Sequence, residues 1–434
     1  MKKQEKTEMD IGIDFGSTYS LITTFDDAEQ KLRELKPQGD TAVTPSYISI
    51  DKEDDTEINF GTFAKSRVYD KNYTHFSGFK MMLVENNPET LRANGYTDKN
   101  TPKYITRLFL EHMLNGILLK ENPAGSSIDI KSGYNNVYIC VPELWAKHAK
   151  TVDGCYTLRK ILTEELGIKK VTIVMEPEAA SAYFAYIYEK NTGRSFNGHL
   201  FLIDFGGGTL DVTLSKVVSD GFGSITIKRV SSDGLGENHK DIYGMTESGK
   251  AGMAYIQRLV LNVLSRNGIS DADAASPDFK ETVVEIENTL MSSKGISGIR
   301  DTFSRFSNYS QFRKIFDKKY SDISDARNIF TRFRYQGKKY PVRYAELFEA
   351  YKQVIEKGFG ETIKKMCDVS RTYTHKDPCT IEAGEDDDFK IALVGGFGSF
   401  YFVQKQIEEI FNIDDINYDC RTKGLTVSPF VRQS

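Results

Sequence analysis

The sequence lacks several features that would place the chain in a special class of protein. It has no apolar run of about 18 residues, the length that an α-helix needs to cross a bilayer. Its first residues, 1–10, are charged and lack the apolar stretch of a secretory signal peptide. The five cysteines include no Cys-x-x-Cys pair, and their odd number argues against a disulfide framework. We therefore expect a cytoplasmic protein that does not enter the membrane.

Other absences exclude particular kinds of site. The six histidines are scattered and show no His-x-x-x-His spacing, which argues against zinc. The chain has no P-loop motif. It also lacks the His-Arg-Asp and Gly-x-Gly-x-x-Gly motifs of protein kinases, although Asp-Phe-Gly occurs twice. The net charge is only −4, so overall charge does not favour binding to nucleic acid or anionic lipid.

What the sequence does contain is a repeated pattern. An apolar run, an Asp and a turn of small residues occur at residues 11–18 and again at residues 201–209. A second apolar stretch follows each copy, so each predicts a strand, an Asp-Gly turn and a strand. The length of 434 residues favours two or three domains. We expect two related halves, each contributing one hairpin to a shared site.

A third glycine turn, Gly395 and Gly396, follows the predicted strand 391–394 and precedes apolar residues at helical spacing. Glycine turns and helix N-termini suit phosphate, because backbone N–H groups can approach it closely. Asp14, Asp204 and Glu176, which follows another predicted strand, could hold hydrated Mg²⁺. The alternative is that the Asp-Gly turns merely connect strands.

Weaker patterns predict further elements. In the first half of the chain they indicate a hairpin tip at the acidic run 51–57 and a strand at 137–141 that Pro142 stops. They also indicate helix over 144–166 with Gly167 at its end, and a helix that starts at Glu176. Further along they indicate mostly helix over 250–294 and an exposed connection over 366–390. The single tryptophan, Trp145, is expected in the core.

The segment 300–343 is basic and aromatic. It holds twelve Lys or Arg residues against four Asp residues, interleaved with ten aromatic residues. Such a stretch can bind nucleic acid, but it is more often a helical face with inward aromatics and solvated cations. A protein-partner surface is the interpretation that we prefer to nucleic acid.

These motifs resemble the nucleotide-binding domain of the seventy-kilodalton heat-shock chaperones (DnaK-type), of the actin-like ATPase superfamily. The resemblance covers about residues 9–415. Residues 13–20 are similar to the first phosphate motif, and residues 44–47 to the Thr-Pro-Ser segment after it. Residues 176–180 resemble the connecting helix, residues 204–211 the second phosphate motif, and residues 393–396 the adenosine motif.

The resemblance implies roles for individual residues. Lys80 would reach the transferred phosphate, Asp204 or Thr209 would orient water, and Pro142 with Lys150 would correspond to the family's proline switch. Asp14, Asp204 and Glu176 would arrange Mg²⁺, and Asp211 would help to hold a monovalent cation such as K⁺. The residues implied to contact ATP or ADP are Gly16, Ser17, Thr18, Tyr19, Gly206, Gly207, Gly208, Glu285, Asn288, Ser292, Gly395, Gly396 and Phe397.

The expected fold is α/β, a two-lobed actin-like (ribonuclease H-like) ATPase with a central nucleotide cleft. Lobe I would span 9–200 and lobe II 201–390, with 391–434 returning to the interface. We expect slow Mg²⁺-dependent ATP hydrolysis that opens and closes the lobes, in a chaperone-family module without a peptide-binding domain. The alternatives are a non-hydrolysing nucleotide-dependent protein-binding switch and a small-molecule kinase of the same superfamily.

Overall fold

The computed structural model describes residues 9–26, 28–29, 31–121, 129–142, 145, 153–221, 224–236, 251–274, 276–304, 309–311, 313, 328–380, 388–411 and 425–427. The chain divides into two compact units, residues 1–179 and 180–434. The expectation of a mixed α/β protein is confirmed, since both units contain sheets and helices. Within the described ranges, no helix combines the length and apolar character needed to cross a membrane.

Unit 1 contains two sheets. The larger has the strand order β3-β2-β1-β8-β9, with β4 paired to β2, and the smaller has the order β6-β5-β7. Their strands are β1 (Met9–Phe15), β2 (Tyr19–Asp26), β3 (Lys31–Leu35), β4 (Thr44–Pro45), β5 (Tyr47–Asp51), β6 (Ile58–Phe60), β7 (Tyr73–Ser77), β8 (Tyr134–Val141) and β9 (Val171–Met175). Alternate side chains of β1, namely Ile11, Ile13 and Phe15, lie in the core of the unit.

Unit 1 also contains helices. They are α1 (Gly61–Ser66), α2 (Phe79–Met82), α3 (Pro88–Ala93), α4 (Pro102–Glu121), α5 (Ile130–Gly133) and α6 (Gly154–Lys160), which continues as π-helix over Ile161–Glu165. The side chains of Phe109 and Met113 from α4 are fully buried in the same core as β1. Trp145 is also buried there, as predicted.

The boundary between the units falls inside helix α7 (Glu176–Thr192). Unit 2 has a sheet of order β12-β11-β10-β15-β16 and a separate hairpin, β13–β14. The strands are β10 (Asn197–Phe205), β11 (Thr209–Ser219), β12 (Ile225–Gly236), β13 (Ile329–Tyr335), β14 (Lys338–Arg343), β15 (Phe389–Val394) and β16 (Leu425–Val427).

The remaining helices of unit 2 form its largest core with one face of that sheet. They are α8 (Gly252–Arg266), α9 (Pro277–Leu290), α10 (Ser293–Phe303), α11 (Tyr344–Tyr351), which continues as π-helix over Lys352–Glu356, then α12 (Lys357–Thr374), a 3₁₀ turn (Gly396–Ser399) and α13 (Tyr401–Ile410). Ser276 caps α9 by accepting a hydrogen bond from the Phe279 N–H, and Pro277 occupies its first turn.

The repeated strand–turn–strand pattern is confirmed, because β1–β2 and β10–β11 are both antiparallel hairpins. The strands at 137–141 and 391–394 and the helix from Glu176 are confirmed as well. The acidic run 51–57 connects paired strands β5 and β6. Gly167 has φ +75°, the conformation that suits a helix end.

Two expectations are wrong. Residues 366–374 are not part of an exposed connection, because α12 continues to Thr374 and buries Met366, Cys367 and Ser370. Residues 329–343 form the β13–β14 hairpin and not a helical face. The prediction that the aromatic side chains of this segment point inward is confirmed for the hairpin, since Phe333, Tyr335 and Tyr340 are buried. Residues 305–308, 312 and 314–327 of the basic segment, and Lys150, lie outside the described residues.

Candidate functional site

Three strands of unit 1 end at the same edge of its larger sheet. β1, β8 and β9 are parallel neighbours, with Ile13 opposite Ile139 and Val141 opposite Met175. Parallel pairing therefore brings Asp14, near the end of β1, Pro142 and Glu176 to one edge, although they are far apart in sequence.

Lys80 reaches this edge from the short helix α2. The Phe79 ring packs 6.0 Å from that of Phe15 and 5.2 Å from that of Phe109, which anchors the helix against the sheet. The Lys80 side chain is 3% exposed and forms an ion pair with Glu176, which is 18% exposed. A buried ammonium group needs such a partner, because it has lost most of its hydration.

Asp14 completes this cluster of ionisable groups. Its side chain retains contact with solvent, but desolvation by the surrounding protein and the negative charge of Glu176 raise the pKa of Asp14 to about 6. The positive charge of Lys80 opposes this shift and only partly offsets it. A cation placed near Asp14 would favour its ionised form.

The first glycine turn follows Asp14 directly. A Cβ at Gly16 would lie 2.1 Å from the carbonyl oxygen of Tyr19, so no other residue fits there without moving the backbone. The Ser46 hydroxyl donates to the Gly16 carbonyl at 2.7 Å, and the Ser46 N–H donates to the Thr18 carbonyl at 2.8 Å. Lys65 donates to the Tyr19 hydroxyl at 3.0 Å. The Thr-Pro-Ser segment thus fixes the turn, and Ser17 and Thr18 stay partly exposed.

The second glycine turn, in unit 2, is held by different donors. The Gly206 N–H donates to the Thr209 carbonyl at 2.9 Å. The carbonyls of Gly206 and Gly207 accept hydrogen bonds from the N–H groups of Gly252 and Met253, at 3.3 and 2.7 Å, at the start of α8. Sequence reasoning missed this contribution of α8, although Gly252 stands at the start of an apolar pattern with helical spacing.

The second Asp-Gly turn and the Gly395–Gly396 turn also share a sheet edge. β10 and β15 are parallel, and Asp204 lies opposite Val394. Gly395 has φ +85°, and a Cβ there would lie 2.5 Å from the Phe205 carbonyl oxygen and 2.6 Å from an Asp204 carboxylate oxygen. Across the hairpin, Asp204 lies directly opposite Asp211, which is 7% exposed. Unit 2 therefore gathers two glycine turns and two carboxylates.

Phe397 belongs to the core of unit 2. Its ring is 5% exposed and packs 5.6 Å from Phe205, 5.6 Å from Tyr255 and 5.2 Å from Phe400. A Cβ at Gly252 would lie 2.2 Å from this ring. The family resemblance implies that Phe397 contacts the nucleotide, and its described contacts in this structure are apolar packing.

Glu285, Asn288 and Ser292 do not share one helix. Glu285 and Asn288 lie on α9, which ends at Leu290. Ser292 follows that end and caps α10 by accepting a hydrogen bond from the Gly295 N–H at 3.0 Å. Glu285 accepts from the Arg334 N–H at 3.2 Å, and Asn288 is exposed. Ser292 therefore lies outside the helix that carries Glu285 and Asn288.

The carboxylates fit a hydrated divalent cation better than a fully protein-bound one. Among the described residues, no three His, Cys, Asp or Glu side chains lie close enough together to hold a metal ion. Mg²⁺ is usually bound through one or two carboxylates, several waters and substrate phosphates. Asp14 and Glu176 in unit 1, and Asp204 and Asp211 in unit 2, are donors of that kind.

Comparison with known proteins adds relatives at low identity. No protein-family model matches the chain. "Heat shock cognate 70 kDa protein 3" of Dictyostelium discoideum is 25% identical over 227 residues, 48% of this chain and 33% of that protein. "Chaperone protein HscA homolog" of Rickettsia typhi is 26% identical over 220 residues, 49% of this chain and 34% of that protein.

A third relative is similar in extent. A ribosome-associated molecular chaperone of Zygosaccharomyces rouxii is 26% identical over 251 residues, 51% of this chain and 36% of that protein. Each match thus covers about half of this chain and about a third of the relative. The curated homologues are chaperones of the seventy-kilodalton heat-shock family, and the similarity of this chain to them is consistent with a divergent nucleotide-binding domain of that family.

Proposed function

We propose that this chain binds ATP and ADP with Mg²⁺ and slowly hydrolyses ATP, as a two-lobed actin-like module of a chaperone. The observation that carries this proposal is the buried Lys80–Glu176 ion pair beside Asp14 at the carboxyl edge of a parallel sheet. Such a cluster offers a cation for a phosphoryl group and carboxylates for a hydrated metal ion. The chaperone names of the relatives support the same proposal.

The role proposed for each residue follows from the chemistry of its side chain or backbone. The glycine turns 16–18 and 206–208 would contact phosphate oxygens through backbone N–H groups. Bound Mg²⁺ would supply positive charge that neutralises the phosphates. Lys80 would exchange its contact with Glu176 for the γ-phosphoryl group. Asp204 or Thr209 would accept a hydrogen bond from the attacking water and orient it.

The proposed lobes span residues 9–200 and 201–390, with 391–434 returning to the nucleotide between them. We further propose that nucleotide state changes lobe closure and so signals to a protein partner. The basic segment 300–343 is the proposed contact surface. Most of its described aromatic residues are buried, namely Phe303, Tyr309, Phe333, Tyr335 and Tyr340, and Phe330 is half-buried. Its basic residues Arg332, Arg334, Lys338 and Lys339 are exposed. The accessible chemistry there is cationic, which suits an acidic protein surface.

The test is nucleotide identification followed by thermal unfolding. Nucleotide released from freshly purified protein would be identified by chromatography, and the stripped chain would be melted with Mg-ATP, Mg-ADP, Mg-GTP or Mg²⁺ alone. A ligand that binds only the native state at a hundredfold excess over Kd adds about 2.7 kcal/mol of stability. We expect a clear rise in melting temperature with Mg-ATP and Mg-ADP, and none with Mg²⁺ alone. No shift at millimolar Mg-nucleotide would contradict nucleotide binding.

A further inference from the structure

Two cysteines lie close together at the end of α12. Cys367 lies on the last turns of that helix and is 2% exposed. Cys379 follows the helix and is half-buried. Both thiols are free, and their Sγ atoms are 3.8 Å apart. A disulfide requires about 2.05 Å between sulfurs, so a modest side-chain movement would bring the pair into bonding range.

The turn that carries Cys379 is held in place by hydrogen bonds. His375 ends the helix with φ +57°. Asp377 accepts from the Cys379 N–H at 2.9 Å and from the Arg371 guanidinium at 2.7 Å. Because Arg371 lies on α12 itself, this ion pair ties the turn to the same helix that carries Cys367. The proximity of the two sulfurs is thus built into the local structure.

We propose that Cys367 and Cys379 form a thiol pair that a peroxide oxidises to an intrachain disulfide. The Cys379 thiolate attacks one oxygen of hydrogen peroxide, forming an S–O bond while the O–O bond breaks and water leaves after protonation. Cys367 then loses its proton as its sulfur attacks the Cys379 sulfur: the S–S bond forms, the S–O bond breaks, and the hydroxyl group leaves with that proton as a second water. Two thiols lose two electrons, and one peroxide is reduced to two waters.

The environment of each thiol determines which cysteine attacks the peroxide and which one then forms the disulfide. The hydrogen bond with Cys367 lowers the pKa of the Cys379 thiol, and the positive charge of Arg371 acts in the same direction. Burial and Asp377 oppose that shift. The hydrogen bond with Cys379 and burial both raise the pKa of Cys367. The accessible Cys379 is therefore the attacking thiol, and the buried Cys367 resolves the sulfenic acid that forms.

The disulfide would close a loop over residues 367–379 at the end of α12, the helix whose first turn packs against the residue before the second glycine turn. Helix α12 stacks Phe359 against Phe205, at 5.3 Å between ring centroids, directly before that turn. Cross-linking restricts the unfolded chain, so unit 2 gains stability on oxidation. This modification is independent of the proposed nucleotide function.

Peptide mapping of the full chain tests the proposal. Trypsin cleaves after Lys365, Arg371, Lys376 and Lys390, which places the two cysteines in the separate peptides 366–371 and 377–390. After treatment with stoichiometric hydrogen peroxide, we expect these peptides to appear cross-linked without reductant and separate with it. The intact chain becomes two hydrogen atoms lighter, and its unfolding midpoint rises.

Variants sharpen the result. Cys379→Ser should abolish the cross-link, and Cys155→Ser, at another half-buried cysteine, should retain it. In the untreated protein, a limiting amount of iodoacetamide should label Cys379 before Cys367. The proposal is overturned if peroxide gives sulfinic acid at Cys379 without the cross-link, joins either cysteine to Cys420 or to a second chain, or if Cys367 is labelled first.

Discussion

The two Asp-Gly turns have the same backbone plan but are held by different chemistry. In unit 1, a side chain helps to hold the turn, because the Ser46 hydroxyl donates to the Gly16 carbonyl beside the backbone bond from the Ser46 N–H to the Thr18 carbonyl. In unit 2, the backbone holds it, because the first N–H groups of α8 donate to the Gly206 and Gly207 carbonyls. A single substitution can remove the first donor, whereas no side-chain change, short of proline, removes the second.

The charges beside the turns differ as well. Asp14 lies opposite Leu21 in its hairpin, and its charged neighbours Lys80 and Glu176 come from other elements. Asp204 lies opposite a second carboxylate, Asp211. The first turn thus has a buried ammonium group and two carboxylates beside it, and the second has two carboxylates. We therefore expect ATP hydrolysis to depend more on the groups beside the first turn than on those beside the second.

The largest expected effect is at Lys80. Lys80→Met keeps an apolar stem of similar volume and removes the charge, so transition-state stabilisation is lost more than nucleotide affinity. Removing one such electrostatic contact costs about 3–4 kcal/mol of barrier, a hundredfold or more in rate. Single-turnover ATP hydrolysis measures this, with the exposed Lys103→Met as the control variant. If Lys80→Met hydrolysed ATP at the wild-type rate, the charged group beside the first turn would have no part in the proposed chemistry.

The next comparison substitutes the leading glycine of each turn. Gly16→Ala would place a methyl group 2.1 Å from the Tyr19 carbonyl oxygen, whereas in Gly206→Ala the nearest contact is the Thr209 carbonyl oxygen at 3.5 Å. We expect Gly16→Ala to lose about 3 kcal/mol of unfolding free energy and Gly206→Ala less than about 1 kcal/mol. Urea unfolding measures both. Equal losses would show that the two turns tolerate a side chain alike.

A smaller effect is expected where the first turn is held. Ser46→Ala removes the donor to the Gly16 carbonyl and the hydroxyl that contacts Ser20 at 2.8 Å. Because Ser46 is buried, the loss should be about 1–2 kcal/mol of unfolding free energy. The exposed Ser66→Ala is the matched control. A Ser46→Ala chain as stable as the control would mean that the turn does not need this side chain.

The smallest effect concerns pH. In the folded chain the pKa of Asp14 is raised from 3.8 to about 6. Between about pH 4 and 6 the folded state therefore binds more protons at Asp14 than the unfolded state, and this group makes stability fall as pH rises. Asp14→Asn should flatten that fall and stabilise the chain at pH 7. Because Asp14 is exposed, the gain should be no more than about 1 kcal/mol. If the unfolding free energies of the wild type and of Asp14→Asn changed with pH in the same way, the raised pKa of Asp14 would be refuted.

The sequence predicts both hairpins because each turn joins two apolar runs through Asp and glycine, a strictly local pattern. It also places Asp14 and Glu176 at strand ends. The contact between Lys80 and Glu176 requires parallel pairing of β1, β8 and β9, which no local pattern reveals. The resemblance to a known family, and not the residue pattern, pointed to Lys80.

The two wrong expectations about secondary structure, at residues 329–343 and 366–374, have local causes. In β13–β14, the turn is Gln336-Gly337, with both residues at positive φ, and glutamine is a weaker turn signal than asparagine or aspartate. Helix α12 ends at His375 in a left-handed conformation, where glycine would have marked the end. The packing of Phe397 against Gly252 joins residues far apart in sequence, so only the folded chain could show it.

The ring of Phe397 occupies the space that a side chain at position 252 would need. Gly252 begins α8, whose first N–H groups hold the Gly206 and Gly207 carbonyls, and Phe397 follows Gly395 and Gly396. The two glycine turns of unit 2 are consequently connected by direct contact through this ring and the start of α8. Positions 252 and 397 are therefore expected to vary together, since a larger residue at 252 requires a smaller one at 397.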